Sequence, residues 1–170
     1  MCFYALEMAR PQALLYVDLT RSNIDDSGMY EFIRHTDRVL DCVCALSISS
    51  CWLLGFNGIL SVQNLQNLQH LDISNAAGAG VQLPLAIADI TTMCRSLMGL
   101  DMSKNRVTVG FFNGLLDVLR ESALSITQLD MSHMSFVKGR KPRWSKLRDL
   151  PGLRYLELSG TRVDMRWCHM

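Results

Sequence analysis

The sequence carries almost no excess of charge of either sign. Its 170 residues hold 17 Lys and Arg against 16 Asp and Glu, a formal net charge of +1. That excludes the overall positive field of a dedicated nucleic-acid binder. Charge is scarce altogether: 19% of residues are charged and 49% hydrophobic, with a mean hydropathy of +0.13, a balance that excludes disorder. Long apolar runs are missing too, because Gly, Asn, Gln, Asp or Arg interrupts every candidate before about 18 residues, so no membrane span is expected. Met1 to Arg10 lacks an address, with one Arg and one Glu where a secretory signal needs a cationic start and a presequence needs several Arg. The expected location is intracellular, cytoplasmic or cytoskeletal, with a mitochondrial one left open. Six cysteines (Cys2, Cys42, Cys44, Cys51, Cys94, Cys168) lack the paired CxxC spacing of a zinc site. They read as reduced thiols used as small hydrophobes, and no metal or other cofactor is expected.

What the chain does have is a period. The template L-x-x-L-x-L-x-x-N/C-x-L lands on Leu14, Val17, Leu19, Ser22 and Ile24, then on Val43, Leu46, Ile48, Cys51 and Leu53. It lands again on Leu68, Leu71, Ile73, Ala76 and Gly78, and on Leu97, Leu100, Met102, Asn105 and Val107. Two further matches are Ile126, Leu129, Met131, Met134 and Phe136, and Leu153, Leu156, Leu158, Thr161 and Val163. Starts at 14, 43, 68, 97, 126 and 153 are separated by 29, 25, 29, 29 and 27 residues. In this pattern the chain resembles the leucine-rich repeat family, over essentially its whole length. The resemblance implies an α/β fold: a curved right-handed solenoid of about six strand–helix repeats, a single domain over 1–170, with a parallel sheet on its concave face.

Elementary geometry gives the same layout. Within each match the fourth and sixth positions alternate with polar residues, as in a short strand with one face inward. The ninth position wants a side chain that bonds backbone groups freed by the bend. Asn105 does this best, Cys51 and Thr161 can substitute, and Ala76 and Met134 cannot, so looser turns are expected at the last two. Between strands, Met29, Phe32, Ile33 and Leu40 form one apolar helical stripe, and Leu85, Ile87, Ile90 and Met93 another. Phe111, Phe112, Leu115, Leu116, Val118 and Leu119 form the strongest, opened by Gly110 and closed near Ser122. Repeats of this length leave room for a true helix, as in the ribonuclease-inhibitor-like subclass. Met102 and Met131 occupy inward strand positions and read as core filling, not as a cofactor box.

A local resemblance is finer. Leu129-Asp130-Met131-Ser132-His133-Met134-Ser135-Phe136-Val137-Lys138-Gly139-Arg140-Lys141, then Pro142-Arg143-Trp144-Ser145-Lys146 and Leu156-Glu157-Leu158-Ser159-Gly160-Thr161-Arg162-Val163, is similar to a stretch of the CARMIL family. It covers about a quarter of the chain and implies a cytoskeletal scaffold. That family's capping-protein-binding tail has no counterpart in these residues, so that activity is not expected.

Two surfaces could bind. The column between the inward strand residues reads Asp18, Ser47, Asp72, Asp101, Asp130, Glu157, rungs about 5 Å apart, with Tyr16, His70 and Tyr155 as further anchors. Like charges on neighbouring strands destabilise a sheet, and folding alone gives no reason to keep them. The column is either a solvated strand surface or a docking strip for a basic or amide-rich partner segment. The next column, Thr20, Ser49, Ser74, Ser103, Ser132 and Ser159, is read as outward hydroxyls. The second surface is Lys138, Arg140, Lys141, Arg143, Trp144, Lys146 and Arg148, cations around one Trp, read as a solvated insertion or as a polyanion contact with RNA as the alternative partner. Catalysis is not expected. His70, Asp72 and Ser74 share a strand face, and His133 lies near Asp130 and Ser132. A shallow sheet face, however, offers no oxyanion pocket, and no nucleophile-elbow spacing is present. Ala76-Ala77-Gly78-Ala79-Gly80-Val81 lacks the Lys-Ser/Thr of a phosphate loop. No small-molecule substrate is expected. The expected partners are other proteins. The last repeat is short of cover, with Leu156, Leu158, Val163, Met165 and Trp167 at an open C-terminal edge. The chain is therefore expected either inside a larger assembly with a partner over 153–170 or as a fragment of a longer array.

Overall fold

Six short strands occupy the six expected positions. In the computed structural model, which describes residues 15–35, 41–76, 82–122, 125–136 and 142–163, they are β1 (Leu15–Asp18), β2 (Val43–Ser47), β3 (His70–Asp72), β4 (Gly99–Asp101), β6 (Gln128–Asp130) and β8 (Tyr155–Glu157). They form one parallel sheet in that order, while β5 (Arg106–Val107) and β7 (Ser135–Phe136) pair as a small parallel ribbon beside it. Register is set by the apolar residues: Val17, Leu46, Leu71, Leu100, Leu129 and Leu156 lie opposite one another along the sheet. All but Leu156 are buried, as are Ile48, Ile73, Met102 and Met131 two residues further on. Each such side chain contributes about 2 kcal/mol by leaving water. The two methionines are core filling, as expected. Leu14, Leu40, Gly78, Lys138, Arg140, Lys141, Met165 and Trp167 lie outside the described residues.

The turn after each strand repeats. Arg21, Ser50, Asn75, Lys104 and His133 have φ between 54° and 59°, and Gly160 has 69°. A left-handed residue bends the chain sharply while its amide stays aligned with the solenoid axis. Accordingly Arg21, Ser50, Asn75, Lys104 and His133 donate their N–H to the carbonyls of Ser49, Ser74, Ser103, Ser132 and Ser159, at 2.7 to 3.0 Å. The parallel ladder therefore continues around the corner. Five of the six residues are not glycine, at about 1–2 kcal/mol each, which the ladder and the side-chain bonds around it must offset.

The ninth position behaves as expected where it is polar. Asn105 is buried; its Nδ2 donates to the carbonyls of Ile73 (3.1 Å) and Met102 (2.8 Å), and its Oδ1 accepts the Ala76 N–H (2.8 Å). Thr161 donates to the Met131 carbonyl and accepts the Met134 N–H, and the Cys51 thiol donates to the Leu19 carbonyl. The looser turns expected at Ala76 and Met134 are not found. Their N–H groups are served by Asn105 and Thr161 of the following repeat, and the adjoining Asn75 and His133 keep the common φ of 54°.

Helices cover the far side of the sheet: α1 (Asp26–His35), α2 (Phe56–Ser61), α3 (Leu83–Met93) and α4 (Val109–Ser122), with 3-10 turns at Val62–Asn64 and Trp144–Asp149. Met29, Phe32 and Ile33 are buried from α1, and Phe111, Phe112, Leu115, Leu116 and Leu119 from α4, where Thr108 Oγ1 accepts the Phe111 N–H. On α3 the expected stripe is corrected. Leu83, Ala86, Ile87 and Ile90 are buried while Leu85 and Met93 are exposed, because Leu85 lies about 200° around the helix from Leu83 and Met93 sits at the margin. In the second repeat Leu54, not Leu53, turns inward; a tight turn, closed by the Leu54 N–H on the Cys51 carbonyl, leaves Leu53 61% exposed. The last covered repeat uses Trp144, whose ring packs on Phe112 (4.7 Å between centroids) and Phe136 (5.7 Å).

Candidate functional site

The free face of the sheet is a shallow groove of about 280 Å³, lined from Tyr16 at one end to Tyr155 at the other. Two columns make it. One reads Tyr16, Ala45, His70, Gly99, Gln128, Tyr155, and the other Asp18, Ser47, Asp72, Asp101, Asp130, Glu157, both in parallel register. At the ends of the first column Tyr16 and Tyr155 are 61% and 55% exposed. Its middle is Gly99, and the ring of His70 leans over it so closely that a Cβ there would meet Nδ1. Sequence reasoning picked out the tyrosines, His70 and the acids. It missed Ala45, Gly99 and Gln128, whose signal was only that they share the strand position of the tyrosines.

The acids have a folding role that the sequence did not reveal. Oδ1 of Asp18, Asp72, Asp101 and Asp130 accepts the N–H of the residue two further on, Thr20, Ser74, Ser103 and Ser132, at 2.8–2.9 Å, and Glu157 does the same for Ser159. Each carboxylate closes the turn that holds the left-handed residue, so the expectation that folding gives no reason for the run is corrected. The hydroxyl column is corrected as well. Ser74, Ser103 and Ser132 are buried, because the chain has already entered the turn, and Ser49 and Ser74 place their hydroxyls 2.8 Å apart. Ser47, the one rung without a carboxylate, donates to Asp72 Oδ2 and meets the Thr20 hydroxyl.

Electrostatics differ along the column. Hydrogen bonds from the Thr20 hydroxyl and N–H hold Asp18 below the usual carboxylate range, and those from Ser159 and Tyr155 do the same for Glu157. The Tyr155 hydroxyl is pushed up in turn by Glu157. At the centre the sign reverses: burial, then the charges of Asp72 and Asp130, hold Asp101 above its ordinary value against the pull of Ser103. Among the described residues no Lys or Arg pairs with any of these acids; the ion pairs found are Arg120–Glu121 and Lys146–Asp117, both involving the helix α4. The Ser/His/Asp set does not assemble, since Ser74 Oγ pairs with Ser49 and the His70 ring lies over Gly99.

The second expected surface is divided. Lys138, Arg140 and Lys141 lie outside the described residues. Trp144 is corrected: it is 3% exposed, within an aromatic cluster, and offers no stacking face to a nucleic-acid base. Lys146 is bonded to Asp117, which it holds below the usual carboxylate range, and the Arg143 N–H caps Asn113 Oδ1. Arg143 and Arg148 are exposed. At the C-terminal edge Leu156, Leu158 and Val163 are half-buried against the core. Cys51 and Cys94 are buried thiols, with Cys94 pushed up to about 11 by burial, which makes it inert; Cys42 and Cys44 are half-buried. The described residues contain no group of His, Cys, Asp and Glu that could hold a metal ion, and no helix among them is long and apolar enough to cross a membrane.

Comparison with known proteins places the fold. The C-terminal domain of tropomodulin from Caenorhabditis elegans is similar with a TM-score of 0.59 at 9% identity, over 88% of this chain and 86% of that one. An internalin from Listeria monocytogenes is similar at a TM-score of 0.49 and 16% identity, over 91% of this chain and 45% of that one. No family model matches the chain, and no curated protein matches it. With six template repeats on one parallel sheet, the fold is a leucine-rich repeat solenoid.

Proposed function

We propose that the chain is a non-catalytic protein-interaction scaffold, or a small structural subunit of a larger intracellular assembly, that docks other proteins on the concave face of its sheet. The observation that carries this reading is the groove itself. A rigid, backbone-laddered sheet holds two exposed tyrosines at its ends and, between them, a row of acids that pairs with no Lys or Arg among the described residues. Exposed aromatics on a preorganised frame supply binding energy with little loss of side-chain freedom. The free buried thiols Cys51 and Cys94 support a reducing compartment, cytoplasmic or cytoskeletal. The helices on the far side support the ribonuclease-inhibitor-like subclass. The CARMIL-like run over 129–163 supports a cytoskeletal role, and we carry both as part of the proposal. RNA contact through 138–148 would have to rest on phosphate pairing alone, because Trp144 is committed to the core.

Site-specific photo-crosslinking in cells tests the reading. Tyr16→benzoylphenylalanine and Tyr155→benzoylphenylalanine should each yield discrete adducts with another protein, whereas Leu85→benzoylphenylalanine, exposed on the helix side, should not. Adducts from position 85 alone, or from none of the three, would remove the concave face as the docking surface.

A further inference from the structure

The shape and charge of the groove together specify what kind of segment it takes. Resting on the reading of the concave face as a docking surface, we propose that the occupant is an extended segment of another protein, about seven residues long, which crosses the strands and seats one Lys or Arg side chain over Asp101 and Asp130 while Tyr16 and Tyr155 flank its ends. The length follows from spacing: six strands at about 4.8 Å span about 24 Å between the tyrosines, and an extended chain advances about 3.3 Å per residue.

The position of the cation follows from which carboxylate oxygens are already used. Both oxygens of Asp72 already accept a hydrogen bond, Oδ1 from the Ser74 N–H and Oδ2 from the Ser47 hydroxyl. Glu157 is occupied by Ser159 and by the Tyr155 hydroxyl. Asp101 and Asp130 each give Oδ1 to the turn, where the Ser103 hydroxyl also bonds the Asp101 carboxylate, and among the described residues no other group bonds their Oδ2 atoms. Both line the groove on adjacent rungs, in register with each other and next to Gly99 and Gln128. Gly99 has no side chain, and the ring of His70 from the neighbouring rung lies over it. The amide of Gln128 is exposed beside it and can bond the backbone of a crossing chain. A cation at this point meets two carboxylates, and among the described residues no Lys or Arg pairs with either. An acidic or phosphate-bearing partner would meet the same row as repulsion. Burial and the charges of Asp72 and Asp130 hold Asp101 high, so a seated cation draws it down and releases a proton in the acidic range.

Selection of random nonapeptides displayed on phage against the immobilised full chain tests this, followed by fluorescence anisotropy with synthetic versions of the selected peptides. The selected peptides should share one central Lys or Arg. Affinity should fall by about tenfold or more on replacing that residue by norleucine, and equally in an Asp101→Asn, Asp130→Asn double variant, and should weaken with added salt. Asn retains the Oδ1 acceptor of each turn, so the variant keeps its fold, which a thermal melt verifies. Selected peptides without a central cation, an unchanged affinity in the double variant, or a selection with no enrichment overturns the proposal. Cation-free peptides that are lost in Tyr16→Ala and Tyr155→Ala overturn it while leaving the concave face as the docking surface. Peptides indifferent to both tyrosine variants overturn both. Concentration-dependent self-association abolished by the double variant would make the occupant a second copy of this chain, with its own cations at 138–148, and would also overturn it.

Discussion

Asp101 sits half-buried in the middle of the carboxylate row, and burial, with Asp72 and Asp130 beside it, holds its carboxyl above the ordinary value of 3.8. An acid raised in this way binds its proton more tightly in the folded chain than in the unfolded one. Its ionisation therefore subtracts from stability: the deficit is absent below 3.8 and complete once pH has risen past the folded value. Asp101→Asn keeps the acceptor for the Ser103 N–H and removes the charge. It should raise the melting temperature at neutral pH by roughly 1–2 °C, and the gap between variant and parent should close as pH falls toward the unfolded value. Differential scanning calorimetry across that range decides it, and a gap that widens with acid would contradict the account. Asp18 and Glu157 run the other way, since their lowered values add stability that is lost as pH falls through them. These acids were legible as a column in the sequence. Their bonds to Thr20, Ser74, Ser103, Ser132 and Ser159 were not, because the pattern gives the period of the residues and not the turn they close.

At the scale of elements, the solenoid tolerates unequal repeats because each strand is fixed by its neighbours. The cover over the sheet ranges from the fourteen residues of α4 to the six of the 3-10 turn at Trp144–Asp149. The short cover works because Trp144, packed edge-on against Phe136 and tilted on Phe112, fills the volume that a helix would otherwise fill. Trp144→Ala should cost about 3–5 kcal/mol, a large part of a domain's stability, and should expose the last two strands first. Hydrogen exchange would show this as faster exchange in β6 and β8 than in β2 and β3; uniform exchange across the sheet would count against a local role. In the sequence Trp144 stands at the centre of a cationic segment, with six Lys and Arg within 138–148 around it. Proximity in sequence did not reveal that the turn rolls its indole inward while Lys146 reaches across to Asp117.

For the whole molecule, the ladder that joins each repeat to the next ends, among the described residues, on β1 at one edge and β8 at the other. Ile48, Ile73, Met102 and Met131 each donate their N–H to the following repeat, but among the described residues no acceptor serves the equivalent N–H of Leu158. Leu156, Leu158 and Val163 beside it are only half-buried, where their counterparts Leu129 and Met131 are fully covered. An edge strand with partly covered apolar residues associates by adding backbone pairs and burying the remainder. The isolated protein should therefore associate as its concentration rises, measured by light scattering alongside a thermal melt. A monodisperse monomer with one sharp cooperative transition at every concentration would refute this.

The period of the apolar residues by itself determined the fold, because a strand placed every 25 to 29 residues with alternate residues inward can bury its face only by stacking on its neighbours. The same logic identified Asn105, Cys51 and Thr161 as the residues that bond freed backbone groups. Tertiary structure alone decided what the local pattern leaves degenerate. Leu53 and Leu54 are both Leu, and the turn after Cys51 chooses which one is buried; Leu85 and Leu83 are both Leu, and the packing of α3 between its neighbouring helices and the core chooses the face. It also decided the site, since a groove between Tyr16 and Tyr155 exists only once strands far apart in the chain lie side by side, and only then does the ring of His70 come to lie over Gly99.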